Sequence, residues 1–389
     1  MIKRDISKVI KETFKHYPVI TVTGPRQSGK TTLIQMTFKN KPYFNLEDPR
    51  LREFAINDPT AFLDQMPNGG IIDEIQHVPQ LFSYIQVLVD ARKKNGLFIL
   101  SGSQQFSLQK SISQSLAGRT AIFHLLPLSI SELKKAKKLR QKKFEPFLLD
   151  GFFPKIHSGK KQNLNIFYGS YFETYVEKDI RTLINIKDLS LFKKFVTLCA
   201  GRIGQLLNKE SLARDVGISQ KTVEEWLSIL EASFILFRLQ PYYVNVSKRL
   251  IKTPKLYFYE PGLASYLLNI SNEEQLSSHP LKGNLFENLI VVEAMKHKFN
   301  FALRQNISFY RDSNNNEIDL LIETGNSLLP LEIKSSQTFH MEFVKTIENL
   351  SQPLNLVKGA VVYGGDVRQN RTNFTLLPWF SIDDFLKSN

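Results

Sequence analysis

The stretch Pro18-Val19-Ile20-Thr21-Val22-Thr23-Gly24-Pro25-Arg26-Gln27-Ser28-Gly29-Lys30-Thr31-Thr32 decides how the rest of the chain is read. Val19 to Thr23 has the apolar, β-branched character of a short buried strand, and the residues after Lys30 open a helix. Between them, Gly24 to Thr31 fits G-x-x-x-x-G-K-[ST] at every fixed position, the pattern of a phosphate-binding loop. Such a loop must aim successive backbone N–H groups inward, which glycine permits at the turning points. The helix behind it adds unpaired N–H donors and the positive end of its dipole. The expected cradle is Gly24, Pro25, Arg26, Gln27, Ser28, Gly29, Lys30, Thr31 and Thr32, with Lys30 reaching the β- and γ-phosphates and Thr31 ligating magnesium.

Outward from the loop, short apolar runs alternate with helical patterns. Strands are predicted at Tyr43–Leu46, Gly69–Glu74, Leu97–Leu100 and Ala121–Leu126, with amphipathic helices over residues 1–17 and 79–94. This alternation predicts an α/β domain over residues 1–130, a parallel sheet with helices on both faces. A magnesium-bound nucleotide needs a carboxylate near Thr31 at the C-terminal edge of a neighbouring strand. Asp73 has that placement, and Glu74 beside it is a candidate general base for the attacking water. An Asp-Glu pair after a strand also serves as a helix cap; the phosphate loop is what favours the catalytic reading. Ser103 and Gln104 follow the next strand, where a polar side chain can sense the γ-phosphate. Arg119 lies in a turn and is a candidate for supplying positive charge to a transferring phosphoryl group, its own or a neighbour's. A structural role for that arginine is equally open.

The 389 residues suffice for two or three cored domains, and the single Cys199 excludes an internal disulfide and a multi-cysteine zinc site. One cysteine, no signal-peptide pattern at the N-terminus and no long apolar run lead to the expectation of a cytoplasmic protein without a membrane partner. The net charge of +14 is uneven: residues 131–165 hold ten Lys/Arg against three Asp/Glu, and residues 271–389 hold eleven against fourteen. A basic balance favours polyanions, so DNA is the expected partner, through the Lys134–Lys143 and Lys248–Lys255 stretches. The plain alternative for the first stretch is a solvated lysine-rich helix face.

Residues 131–270 are predicted to form a helical linker and a winged helix-turn-helix. Lys209–Val216 reads as a first helix, Gly217-Ile218-Ser219 as the turn with Ser219 as N-cap, and Gln220–Leu230 as the second helix. Phe234–Tyr243 and Leu256–Tyr259 are candidate wing strands. Glu224 and Glu225 give the second helix the wrong sign for phosphates, so backbone contact is expected from Lys248, Arg249, Lys252 and Lys255 instead.

The third segment, residues 271–389, begins with a helix over 283–293 and continues with strands at 307–311, 317–323 and 329–334. Period-2 alternation puts Asp319 on one strand face and Glu332 with Lys334 on a face of the next. If the strands are neighbours, Asp319 and Glu332 share a divalent ion, Glu287 on the helix adds a further carboxylate, and Lys334 orients or deprotonates water.

The blocks GPRQSGKTT, YFNLEDPRLREFA, GGIIDEIQHVP, FILSGSQQ and SLAGRTAIFHLLPLSISEL, continued by YFETYVEKDIR, GRIGQLLN and KTPKLYFYEPGLASYLL, resemble prokaryotic AAA+ ATPases that end in a nuclease-like domain. The resemblance covers nearly the whole chain. It implies an additional-strand P-loop core, ATP as the nucleotide with Mg2+, Asp73-Glu74 as the Walker B pair and Gln104 at the sensor position. Ring assembly is common among such relatives, so a homo-oligomer is admitted as a partner state. The C-terminal spacing, a helix Glu, a strand Asp, twelve residues and then Glu-x-Lys, resembles the PD-(D/E)xK or restriction-endonuclease-like fold, with Ile318 where the pattern has proline. The combined expectation is an Mg-dependent ATPase coupled to a nuclease-like domain acting on or near DNA. The alternative is an ATP-dependent switch or DNA tether without nuclease turnover.

Overall fold

A computed structural model describes residues 2–103, 112–139, 142–159, 162–176, 188–243 and 253–388. The chain divides into two compact units. The first holds residues 1–128 with 232–234 and 299–303; the second holds the remainder.

The first unit is built on five parallel strands, β1 (Val19–Thr23), β2 (Tyr43–Asn45), β3 (Ile71–Asp73), β4 (Phe98–Gly102) and β5 (Thr120–His124), in the order β2-β3-β4-β1-β5. Successive residues of each strand feed opposite faces, and both faces are apolar. Ile20, Val22, Ile71, Ile99 and Phe123 pack with Ile6, Ile10, Leu33 and Ile34 of the helices Ile6–Thr13 and Lys30–Thr37. Val19, Ile72, Phe98 and Leu100 pack with Phe62, Phe82, Ile85 and Val89 on the other side. A sheet covered on both faces must be apolar on both, which is why these strands read as continuous runs. Strand β4 lies between β1 and β3, so the loop after β1 and the carboxylates after β3 flank the end of β4. This is a P-loop ATPase fold with helices on both faces, as the alternation predicts.

The second unit contains both the middle and the C-terminal segments, which the sequence reading separates at residue 270. Long-range polar ties join them: the Glu293 carboxylate accepts from Ile130 N–H at 2.8 Å, and Trp379 Nε1 donates to the Lys142 carbonyl at 2.9 Å. The helix-turn-helix forms with helices Lys209–Val216 and Gln220–Ala232. Asn208 caps the first, Gly217 ends it at φ 93°, and the Ser219 hydroxyl accepts from Thr222 N–H at 3.1 Å. Strands β6 (Leu236–Leu239) and β7 (Lys255–Phe258), within or beside the two candidate wing strands, pair antiparallel. One expectation is corrected: the basic run after residue 130 is not one lysine-rich helix. The helix stops at Lys135, and Lys137 turns left-handed at φ 55°.

The C-terminal segment sets the 19-residue helix Lys282–Asn300 beside a mixed sheet. Its strands are β8 (Ile307–Arg311), β9 (Glu317–Thr324), β10 (Ser327–Lys334), β11 (Gly359–Tyr363), β12 (Gln369–Asn370) and β13 (Phe374–Pro378), in the order β12-β13-β11-β10-β9-β8. Strands β9 and β10 are antiparallel neighbours, with Leu320 opposite Leu331.

Candidate active site and a second carboxylate cluster

The loop after β1 turns through three left-handed or glycine-type positions, Gly24 at φ 147°, Gln27 at φ 62° and Gly29 at φ 93°. At Gly24 a Cβ would lie 2.2 Å from the Leu125 carbonyl oxygen, so only glycine fits. Lys30 begins the helix and is buried; its ammonium donates to the Gly24 and Pro25 carbonyls at 3.0 and 2.9 Å. Arg4 braces the loop from behind, donating at 2.8 Å to the Ser28 carbonyl and at 2.7 Å to that of Leu126. Among the described residues the buried Ser28 Oγ has no hydrogen-bond partner, and a hydroxyl donor so placed at a helix N-terminus fits a bound phosphate.

Asp73 is the hub of the site. Its carboxylate accepts from Thr31 Oγ1 at 2.6 Å, Tyr43 OH at 2.8 Å and Glu74 N–H at 3.1 Å, and from the Ser101 hydroxyl. Four donors, from β2, β4, the residue after β3 and the loop helix, fix its orientation. Burial, and then the Asp73 charge, raise the Tyr43 phenol above its ordinary range, so it stays a donor. Thr31 and Asp73 present the hard oxygens that a magnesium ion takes. Glu74 sits in a left-handed conformation at φ 53° that turns its side chain out of the strand, where it accepts from Gln76 and, at 3.3 Å, from Ser103 Oγ.

Lys30, Thr31, Asp73, Glu74 and Ser103 thus meet at one sheet edge. Arg119 does not. It precedes β5 at the opposite end of the sheet, its carbonyl accepting from Val19 N–H, one strand length or roughly 15 Å from the phosphate loop. There its guanidinium grips Asp90 at 2.7 and 2.8 Å, so a role toward its own phosphate is corrected. Gln104, Lys248, Arg249 and Lys252 lie outside the described residues. Tyr43, Ser101 and Arg4 were missed by the sequence reading. Tyr43 opens a short strand, and nothing in its own stretch marks it as facing a carboxylate one strand away.

The second cluster gathers Glu287, Asp319, Glu332 and Lys334 as their spacing predicts. Lys334 Nζ lies 2.6 Å from Glu332 and 3.5 Å from Asp319, whose Oδ2 also accepts from Ile333 N–H at 2.7 Å. A further member comes from β7. Lys255 is 2 % exposed, with its ammonium 2.9 Å from Glu287 and 2.5 Å from Glu317. Tyr257 OH donates to the same Glu287 oxygen at 2.5 Å. Lys255 as a phosphate-contacting residue is therefore corrected: its charge points inward, because strand β7 turns that side chain onto the carboxylates. Burial raises Glu287 to about 7, with Lys255 pulling it back down, and raises Glu332 to about 8, with Asp319 adding to the rise.

A divalent ion does not fit this arrangement as the sequence reading places it. Among the described residues no group of three or more His, Cys, Asp or Glu is disposed to hold a metal ion. Each carboxylate expected as a ligand faces an ammonium instead. Among the described residues Glu332 Oε2 is buried without a partner.

Residues 16–134 match an AAA domain. The chain carries an ATPase-like P-loop domain of the AAA type. Beyond the AAA domain, residues 141–274 and 282–382 match two domains of unknown function, DUF8612 and DUF4143. The chain is similar to an uncharacterized protein of Mycobacterium tuberculosis, 28% identical over 369 residues covering 94% of this chain and 81% of that one. It is also similar to an uncharacterized protein of Methanocaldococcus jannaschii, 25% identical over 390 residues covering 92% and 83%. Among solved structures, a Walker-type ATPase of Pyrococcus abyssi aligns over 68% of this chain and 95% of its own, at 16% identity and a TM-score of 0.47. Among the described residues no helix is long and apolar enough to cross a membrane.

Proposed function

We propose that the AAA domain hydrolyses ATP with Mg2+ and that the hydrolysis drives a switch in a protein acting on or near DNA. The observation that carries the first part is the Thr31–Asp73 contact at 2.6 Å, held by donors from Tyr43 and Ser101 at the edge where the phosphate loop opens. Bound magnesium supplies counter-charge to the β- and γ-phosphates, and Thr31 and Asp73 are the residues to hold it. Lys30 exchanges its two loop carbonyls for phosphate oxygens. Glu74, released from Gln76 and Ser103, orients the attacking water and takes its proton. Glu74→Gln keeps the shape and removes the base. Nucleotide affinity is expected to stay within about twofold while turnover falls by about 100-fold or more. Turnover that survives this change contradicts the assignment of Glu74.

The DNA part is supported by charge alone. Of the Lys134–Lys143 stretch, Lys134 and Lys142 pair with Asp384 and Asp366 at the surface, at 2.9 and 2.8 Å. Exposed pairs of this kind are weak and exchange readily for phosphate. For the C-terminal domain two readings stand, a nuclease coupled to the ATPase and a scaffold without turnover. The presence of Lys255 among the carboxylates favours the second. Incubating the protein with Mg2+ or Mn2+ and plasmid DNA separates them: cleavage abolished by Asp319→Ala supports the nuclease, and intact plasmid supports the scaffold.

A further inference from the structure

We infer that the Lys255 ammonium is a resident cation of the C-terminal cluster, standing where a divalent ion would otherwise bind, and that it bolts wing strand β7 to the C-terminal sheet. The inference rests on the scaffold reading of that domain and is independent of the ATPase. The geometry is that of an internal counter-ion. Lys255 lies on β7 yet reaches Glu287 on the long helix and Glu317 at the start of β9, at 2.9 and 2.5 Å. Its Nζ also lies 5.4 Å from the ring centroid of Phe309 on β8, so an aromatic face completes the cation's surroundings.

Charge and burial explain why the position is kept by a lysine. Glu287, Glu317, Asp319 and Glu332 bring four carboxylates together; Lys255, Lys334 and Arg311, which pairs with Glu317 at 2.9 Å, bring three cations. A buried carboxylate without a counter-charge is costly, so the cluster must hold cations of some kind. A metal ion would need the oxygens of Glu287, Asp319 and Glu332 turned to a common point. Tyr257 and Lys255 hold one Glu287 oxygen, Oε1, and the Ile333 N–H holds one of Asp319, Oδ2. Lys334 holds one Glu332 oxygen, while Glu332 Oε2 is buried and has no partner among the described residues. The lysine also does something a metal ion cannot. It is covalently part of the wing, so the hairpin β6–β7 stays in register with the helix and sheet that carry the carboxylates.

The test is Mn2+ binding to the nucleotide-free chain, followed by electron paramagnetic resonance and by thermal midpoint. Asp73→Asn is included in every sample to silence the ATPase site. The Lys255 chain is expected to show no Mn2+ site that depends on Asp319. Lys255→Ala is expected to gain one such site, lost again in Lys255→Ala/Asp319→Asn. Mn2+ at about 100 times its Kd should then raise the variant's midpoint by about 5 °C. An Asp319-dependent Mn2+ site in the chain that retains Lys255 overturns the inference, and so does a folded Lys255→Ala variant that gains none. Should Lys255→Ala not fold, the titration of the Lys255 chain decides alone. A plasmid-cleavage arm keeps the two claims apart. Mn2+ binding without cleavage overturns the resident cation and leaves the scaffold reading standing, whereas Asp319-dependent cleavage overturns both.

Discussion

Asp73 shows how single side chains are held for use. Tyr43→Phe removes one donor at 2.8 Å and no other contact of that carboxylate. The expected loss is about 1 kcal/mol, or about fivefold in affinity. It should appear in the Mg2+ dependence of fluorescent-nucleotide binding and not in binding measured with EDTA. Arg4→Met removes the brace under the phosphate loop, leaving the Ser28 and Leu126 carbonyls without a donor they now use. It should lower stability by about 1–3 kcal/mol and weaken nucleotide binding together, as chemical denaturation and nucleotide titration would show. Glu260 titrates in the second unit away from both sites. It is buried, and desolvation raises it to about 7 against the Lys296 charge and the donors Phe152 N–H, Gly262 N–H and Tyr168 OH. The native state therefore holds a proton that the unfolded chain has released above pH ~4.5. Its contribution, on the order of 3 kcal/mol, is fully present below pH ~4.5 and is lost as pH rises through 7. Unfolding midpoints between pH 5 and 8 should fall for the parent chain and flatten for Glu260→Gln.

At the scale of elements, the readable parts were those with strong periodicity or an obligatory turn. The phosphate loop, the five strands around it and the helix-turn-helix were legible because glycines, caps and apolar runs mark them. The basic helix after residue 130 was misread because charge suggested a continuous helix, while Lys137 in a left-handed turn ends it. The side chains that complete each site were not legible. Ser101 and Tyr43 reach Asp73 only through strand order, and Lys255 reaches Glu287 only because β7 lies against the helix Lys282–Asn300, where Phe258 N–H donates to Asn288 Oδ1 at 2.7 Å. The helix-turn-helix illustrates the same point. Glu224, one of the two glutamates read as repelling phosphates, pairs with Arg238 on β6, as does Glu231, at 2.6 Å each. Arg238→Met should loosen β6 from the helix Gln220–Ala232 and lower the midpoint of the second unit, with a larger effect than Lys209→Met, whose single exposed pair with Glu224 at 3.2 Å contributes little.

On the scale of the whole molecule, the excess charge is a statement about partners, not fold. Residues 271–389 are net acidic while residues 131–165 carry half of the excess, so the proposed DNA partner would be held by the middle segment. Binding to duplex DNA should be independent of sequence and weaken by at least about tenfold between 50 and 200 mM salt, which fluorescence anisotropy would follow. A flat salt dependence would remove DNA as the partner. Everything downstream depends on whether the AAA domain turns over. The direct measurement is phosphate release from Mg-ATP by the purified full chain beside its Lys30→Ala variant. The account predicts steady turnover by the parent chain, loss of it in EDTA, and a rate at background for Lys30→Ala. Equal turnover by the two proteins would contradict it.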